Sequence, residues 1–167
     1  ADQRFLADGE YHWIVDPLDG SLNLSRGIPL SCVSIALWRE MRPMLGVIRD
    51  CHRKECFSGI VGQGAWLNDQ AIHVSDVRSP REAILCTGFP AGADYSAAAI
   101  EHVISHIQAY QKIRWLGSAA LSLAYVACGR ADVYAEEGIA LWDVAAGVAI
   151  VQAAGGLTQV EPAGTGA

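Results

Sequence analysis

The sequence predicts an α+β fold of layered sheets and helices, in a single domain over residues 1–167. Three observations carry this expectation. The first half is a series of short β-branched and apolar runs separated by turn residues. The second half alternates such runs with stretches of helical spacing. Hydrophobic residues make up 51% of the chain and charged residues 18%, so it has the apolar surface for a packed core and too little charge for a disordered chain.

Taken in order, Trp13-Ile14-Val15 reads as a buried strand stopped by Asp16-Pro17. Asp19-Gly20-Ser21 then supplies turn and helix-start residues. Residues 31–38 form a strand rich in apolar and β-branched residues, and 43–48 its partner, with a turn at Arg39-Glu40. Residues 55–60 and 65–67 are further strands around Gly62-Gln63-Gly64. Asn68-Asp69 turns the chain into Ile72-His73-Val74, completing an antiparallel meander. In the second half, 83–87 is a strand. Residues 95–111 have helical spacing, with Ile100, Val103, Ile104 and Ile107 on one stripe. A strand at 113–116 leads to a helix beginning at Ser118 and stopping near Gly129. A short strand at 131–135 precedes a helix of small residues from Trp142 to Ala154, ended by Gly155-Gly156.

The net charge is -6, which argues against nucleic-acid or anionic-membrane partners, where a basic face is expected. Five cysteines stand at 32, 51, 56, 86 and 128, with no Cys-x-x-Cys pair, as expected of reduced thiols in a cytoplasmic protein. No segment reaches the roughly 18 apolar residues of a membrane helix. The first residues, Ala1-Asp2-Gln3-Arg4, do not resemble a signal peptide.

Two constellations carry candidate chemistry. In Asp16-Pro17-Leu18-Asp19-Gly20-Ser21, two carboxylates flank a proline-stiffened turn that also frees the Leu18 carbonyl. Hard cations such as Mg²⁺ take oxygen ligands of this kind, and Gly20-Ser21 at a helix start suits a phosphate. An ordinary Asp-rich turn with a helix cap explains the same residues equally well. The second constellation is Glu136-Glu137-Gly138 followed by Trp142-Asp143. Asp143 heads the small-residue helix, where it either caps amides or binds a cation.

Together WIVDPLDGSLN (Trp13 to Asn23) and LWDVAAGVAIVQAAGG (Leu141 to Gly156) resemble the inositol monophosphatase family. VGQGAWLN (Val61 to Asn68) and GSAALSLAYVACGRADVY (Gly117 to Tyr134) also resemble it in order and spacing, so the likeness covers nearly the whole chain. The resemblance implies a layered α-β-α-β-α sandwich of the sugar phosphatase type. It implies a lithium-sensitive phosphatase using two or three Mg²⁺ ions, and a homodimer in the full-length protein. Asp16 would bridge two metals. The Leu18 carbonyl would bind the first, and Asp19 and Asp143 the second. Gly20 and Ser21 would cradle phosphate, with the Ser21 hydroxyl in place of the usual threonine to orient water. Asp16, Ser21 and Asp143 are thus the implied catalytic set. Glu136 would bind a substrate hydroxyl, with Glu137 its solvated neighbour, and Gly117, Ser118 and Ala119 would line the sugar side. The default substrate is myo-inositol 1-phosphate. Fructose 1,6-bisphosphate and histidinol phosphate are alternatives, as is a non-catalytic protein that retains the fold. Nucleotide 3′-phosphates are disfavoured, because Leu22-Asn23 replaces the Lys-Glu pair of that branch.

The family's Gly-Glu-Glu run, about 20 residues before the bridging aspartate, would fall before Ala1 by the family's spacing. Its N-terminal helices and last strand and helix are likewise missing here. Gly9-Glu10 is too near Asp16 to replace that run, and Glu10 reads as a surface residue. The expectation is an internal fragment that lacks one metal ligand and turns over poorly or not at all. Cys51-His52 with Cys56 lacks a second pair of zinc ligands. His102 and His106 share a solvated helical face with no third ligand evident. Gly59, Gly62 and Gly64 belong to a hairpin turn, and the five tryptophans to core or pocket walls.

Overall fold

Residues 10–89 and 96–161 are described in the computed structural model. The alternating runs of the first half form β1 (Tyr11–Asp19), β2 (Cys32–Arg39), β3 (Arg42–Asp50), β4 (Cys56–Ile60), β5 (Gly64–Leu67) and β6 (Gln70–Ile72). They pair in chain order as a six-stranded antiparallel meander, as expected. A short helix, α1 (Ser21–Ser25), interrupts it after β1.

Pro17 does not stop β1. The strand runs on to Asp19, with a shift of register between Asp16 and Asp19. An edge strand tolerates the proline because no further strand needs its missing N–H, and the bulge absorbs the mismatch. Edge position also explains why β1 is not fully buried: Trp13 is 64% exposed, and Tyr11 and Val15 face outward with it. The β2–β3 hairpin has a two-residue loop, Glu40-Met41, with φ of 50° and 60°. Both values suit the hairpin's twist, although neither residue is the glycine or asparagine that usually marks such a turn.

In the second half, β7 (Ile84–Cys86), β8 (Lys112–Arg114) and β9 (Val133–Tyr134) form a parallel sheet in the order β8-β7-β9. Helix α2 (Ala97–Ile107) is shorter than its periodicity predicts. Ser96 caps it through Ala99 N–H, and its Ile100–Ile104 stripe is largely exposed. Tyr95 lies outside the described residues. Ser118 caps α3 (Ala119–Ala127), which stops before Gly129 at φ 72°.

Helix α4 (Leu141–Ala153) is apolar on every side and buried from Val144 to Val151, because it lies between two partners. On one side it packs across the first sheet, and on the other against α3, which reaches β9. Glycine makes both approaches possible. A Cβ on Gly46 of β3 would meet the Ala146 carbonyl, and one on Gly147 would meet the Leu123 side chain. Gly59 belongs to β4 rather than to a hairpin turn; a Cβ there would lie 2.9 Å from the Ile150 backbone. Trp38, fully in the core, donates from Nε1 to the Ala145 carbonyl at 3.2 Å. At the far end Arg130 grips Glu55 through two nitrogens (2.7 and 2.6 Å) and stacks on Tyr125. Trp142, expected in the core or on a pocket wall, is instead largely exposed at the start of α4.

Gly46→Ala tests the close approach. The added methyl must push α4 from the sheet, and the expected loss is about 1–3 kcal/mol of unfolding free energy, read as a lower urea midpoint.

Candidate metal centre

The bulge that carries β1 past Pro17 sets the first two carboxylates. Asp16 is buried on the sheet face that α4 covers, and its Oδ1 accepts a hydrogen bond from Leu18 N–H at 3.0 Å. Asp19 reaches the start of α3, where its Oδ2 accepts from the Ser118 hydroxyl (2.6 Å) and Ala120 N–H (2.8 Å). Asp143 arrives from the first turn of α4. Ala140, at the N-cap, has no side-chain group to cap α4, and the Asp143 carboxylate accepts a hydrogen bond from the Ala140 backbone N–H, so Asp143 serves the helix start as well as facing the cluster. Oxygens of Asp16, Asp19 and Asp143 all lie within 4.8 Å of one another.

Such crowding is electrostatically unfavourable without a cation. Burial pushes the Asp19 carboxyl up, Asp16 adds to this, and the Ser118 and Ala120 donors oppose it. Asp143 is pushed up to about 6 by burial, by its hydrogen bond with Asp16 and by the charges of Asp19 and Asp16. Among the described residues, the ion pairs of Arg39, Arg53 and Arg130 lie elsewhere. Three hard oxygen donors with no positive partner among the described residues fit a divalent cation of the Mg²⁺ type.

Asp19 and Asp143 open on a cavity of about 480 Å³, lined also by Gly117, Ser118, Ala119 and Glu136. Five of the predicted substrate and metal positions, from distant parts of the chain, thus meet with Glu136 around one space. Glu136 accepts a hydrogen bond from the Tyr134 hydroxyl at 2.9 Å. Burial pushes its carboxyl up, the Tyr134 bond opposes this, and Asp19 adds to it. Gly117, at φ 68°, is held by Asn23, whose amide donates to the Leu30 (2.9 Å), Leu116 (2.8 Å) and Gly117 (3.2 Å) carbonyls. Gly20 takes φ 77° beside the Leu30 backbone, where a Cβ would collide, and Ser21 begins α1 on the surface. Leu18, Gly20 and Ser21 adjoin the cluster but do not line this cavity. Glu137 is exposed, and so is Glu10; Gly9 lies outside the described residues.

Sequence reasoning assigned Trp115 to the core or a pocket wall but passed over Thr87, Gly88 and Phe89. Thr87, Gly88 and Phe89 follow β7, and Trp115 follows β8, just as Glu136 follows β9. The usable signal was topological: ligands gather beyond the carboxyl ends of parallel strands. Gly88 leaves room for Glu136, whose carboxylate a Cβ there would touch at 2.5 Å. Cys32 was missed as well. Its buried thiol lies 3.9 Å from Asp19 Oδ2 and 3.8 Å from Ser118 Oγ, and burial and the Asp19 charge raise its pKa. The five cysteines are free thiols. His52, discounted as a zinc ligand, instead pairs through Nε2 with Ser31 Oγ at 3.0 Å. The His102 side chain lies outside the described residues.

The model of the inositol monophosphatase family matches residues 2–163. A protein named Nus factor SuhB from Xylella fastidiosa is 47% identical over 145 residues, covering 86% of this chain and 53% of that relative. An inositol-1-monophosphatase of Synechocystis is 40% identical over 156 residues, covering 90% of this chain and 53% of that protein. The solved inositol monophosphatase of Anabaena superposes with a TM-score of 0.80 at 42% identity, covering 89% of this chain and 59% of that one. The chain thus spans just over half the length of the curated relatives it matches.

The raised Asp19 and Asp143 carboxyls make the folded state hold more protons than the unfolded one. Metal-free stability should therefore fall as pH rises from 3.8 through about 6. Mg²⁺ should raise the melting temperature more at about pH 7.5 than at about pH 5. Asp143→Asn should raise the metal-free melting temperature at neutral pH and remove most of the Mg²⁺ effect, both read by thermal scans with and without chelator.

Proposed function

We propose that this chain, which belongs to the inositol monophosphatase family, carries the larger part of a Mg²⁺-dependent site that hydrolyses a small phosphate monoester, with myo-inositol 1-phosphate the default substrate. The observation that carries the proposal is the convergence of Asp16, Asp19 and Asp143 beside a cavity that also holds Glu136. When bound, the metal ions supply a water of lowered pKa and neutralise charge on the ester oxygens.

The chain's own residues do the positioning. Asp16, the Leu18 carbonyl, Asp19 and Asp143 would hold the ions, with Asp16 shared between them, Leu18 serving the first and Asp19 and Asp143 the second. Gly20 and Ser21 offer amides to the phosphate, and the Ser21 hydroxyl orients the attacking water. Ser118 and Ala120 hold Asp19 by two hydrogen bonds to its Oδ2, which fixes the carboxylate beside the cluster. Glu136 accepts a hydrogen bond from a hydroxyl of the leaving alcohol, while Gly117, Ser118 and Ala119 line its side of the pocket. The five free thiols support a cytoplasmic setting, and a homodimer is the proposed state of the full-length protein.

The names of the SuhB relatives support a second reading: a Nus-factor role in which the fold serves binding to other macromolecules. Phosphate release separates the two. The full-length gene product with Mg²⁺ should release phosphate from myo-inositol 1-phosphate, and Li⁺ should inhibit it. Asp16→Asn and Asp143→Asn should each lower the rate at least about 100-fold. Undiminished turnover in either variant would overturn the metal assignment, and a protein inert toward a panel of monoesters would favour the second reading.

A further inference from the structure

Two aromatic side chains line the cavity without being used by the chemistry above. Phe89 follows β7 and Trp115 follows β8, so adjacent parallel strands deliver them to the same rim. Their ring centroids are 5.6 Å apart with planes at 50°. Both keep much of their surface open, 43% for Phe89 and 58% for Trp115. The two rings form an apolar wall on a cavity that also holds the Asp19, Glu136 and Asp143 carboxylates, and such a wall gains from a ligand with a flat apolar face. The third strand, β9, brings Glu136, an acceptor for hydroxyl donors, to the same space.

A cyclic polyol combines those two requirements. One face of a six-membered ring presents C–H groups, which suit the face of an indole, and the ring's edge presents hydroxyls, which suit a carboxylate. An acyclic polyol has no rigid face to offer and loses more rotational freedom on docking. We propose that Trp115, assisted by Phe89, is a specificity-determining residue that selects phosphorylated cyclitols and pyranoses over acyclic phosphate monoesters. This inference rests on the phosphatase reading above. Trp115 holds the leaving group's ring by its C–H face while Glu136 takes a hydroxyl at the edge.

The test compares kcat/KM for myo-inositol 1-phosphate and glycerol 2-phosphate in the full-length gene product with Mg²⁺. Trp115→Ala should lower the value for the cyclic ester about tenfold, mostly through KM, and that for the acyclic ester less than about twofold. Trp115→Phe, which keeps an aromatic face, should retain most of the preference and guards against a folding artefact. Phe89→Ala should move the ratio in the same direction by less. An equal effect on both esters, or none on either, overturns this inference and leaves the phosphatase reading intact. If the unaltered protein releases phosphate from neither ester, the phosphatase reading fails and this inference with it.

Discussion

The site depends on how closely α4 approaches the first sheet. Asp143 stands at the head of that helix, and Asp16 and Asp19 stand at the end of β1, so their separation is set by the gap between the two elements. Gly46 and Gly59 on the sheet side, and Gly147 toward α3, let backbone meet backbone or side chain with no Cβ between them. The Trp38 bond to the Ala145 carbonyl pins the helix one turn into its length. A core packed this tightly resists small displacements, which a metal-ligand cluster requires. The small-residue character of α4 is thus the means by which its one carboxylate is positioned.

The packing that brings the carboxylates together also costs stability. Burial and mutual repulsion raise Asp19 and Asp143; the Ser118 and Ala120 donors oppose this at Asp19, and the Ala140 N–H opposes it at Asp143. The protein holds a strained acidic cluster in a well-packed frame, as ligand sites commonly do at the expense of stability elsewhere. Asn23 has a comparable structural part. Its amide ties the loop after β8 to the segment after α1.

Much of this was legible in the amino-acid sequence, and the exceptions have physical causes. The meander, the alternating second half and the carboxylates Asp16, Asp19 and Asp143 were all readable from turn residues, periodicity and motif order. The path of β1 through Pro17 was not, because edge position and a bulge excuse a proline that a central strand would reject. The turn at Glu40-Met41 carries none of the usual sequence marks for positive φ. The end of α2 at Ile107 was hidden because residues 108–111 hold no glycine or proline to mark the stop. Phe89 and Cys32 were overlooked because each sits in an unremarkable local sequence, and Trp115 was placed only as far as the core or a pocket wall. Only the parallel order of β8, β7 and β9 puts the two aromatics on one rim, and only the folded backbone puts Cys32 beside Asp19.

The cavity is assembled from two sources that are structurally separable. The clustered carboxylates Asp16, Asp19 and Asp143 come from an antiparallel edge strand and the first turn of a buried helix, both packed into the core. The cavity's opposite wall comes from three loops that follow β7, β8 and β9, where Phe89 and Trp115 are exposed and lie outside the core. Descendants of one ancestral chain can therefore diverge in what they recognise while inheriting an unaltered acidic cluster. The same division gives a protein engineer a short set of loop positions to randomise, with the helix and sheet left as a fixed chassis.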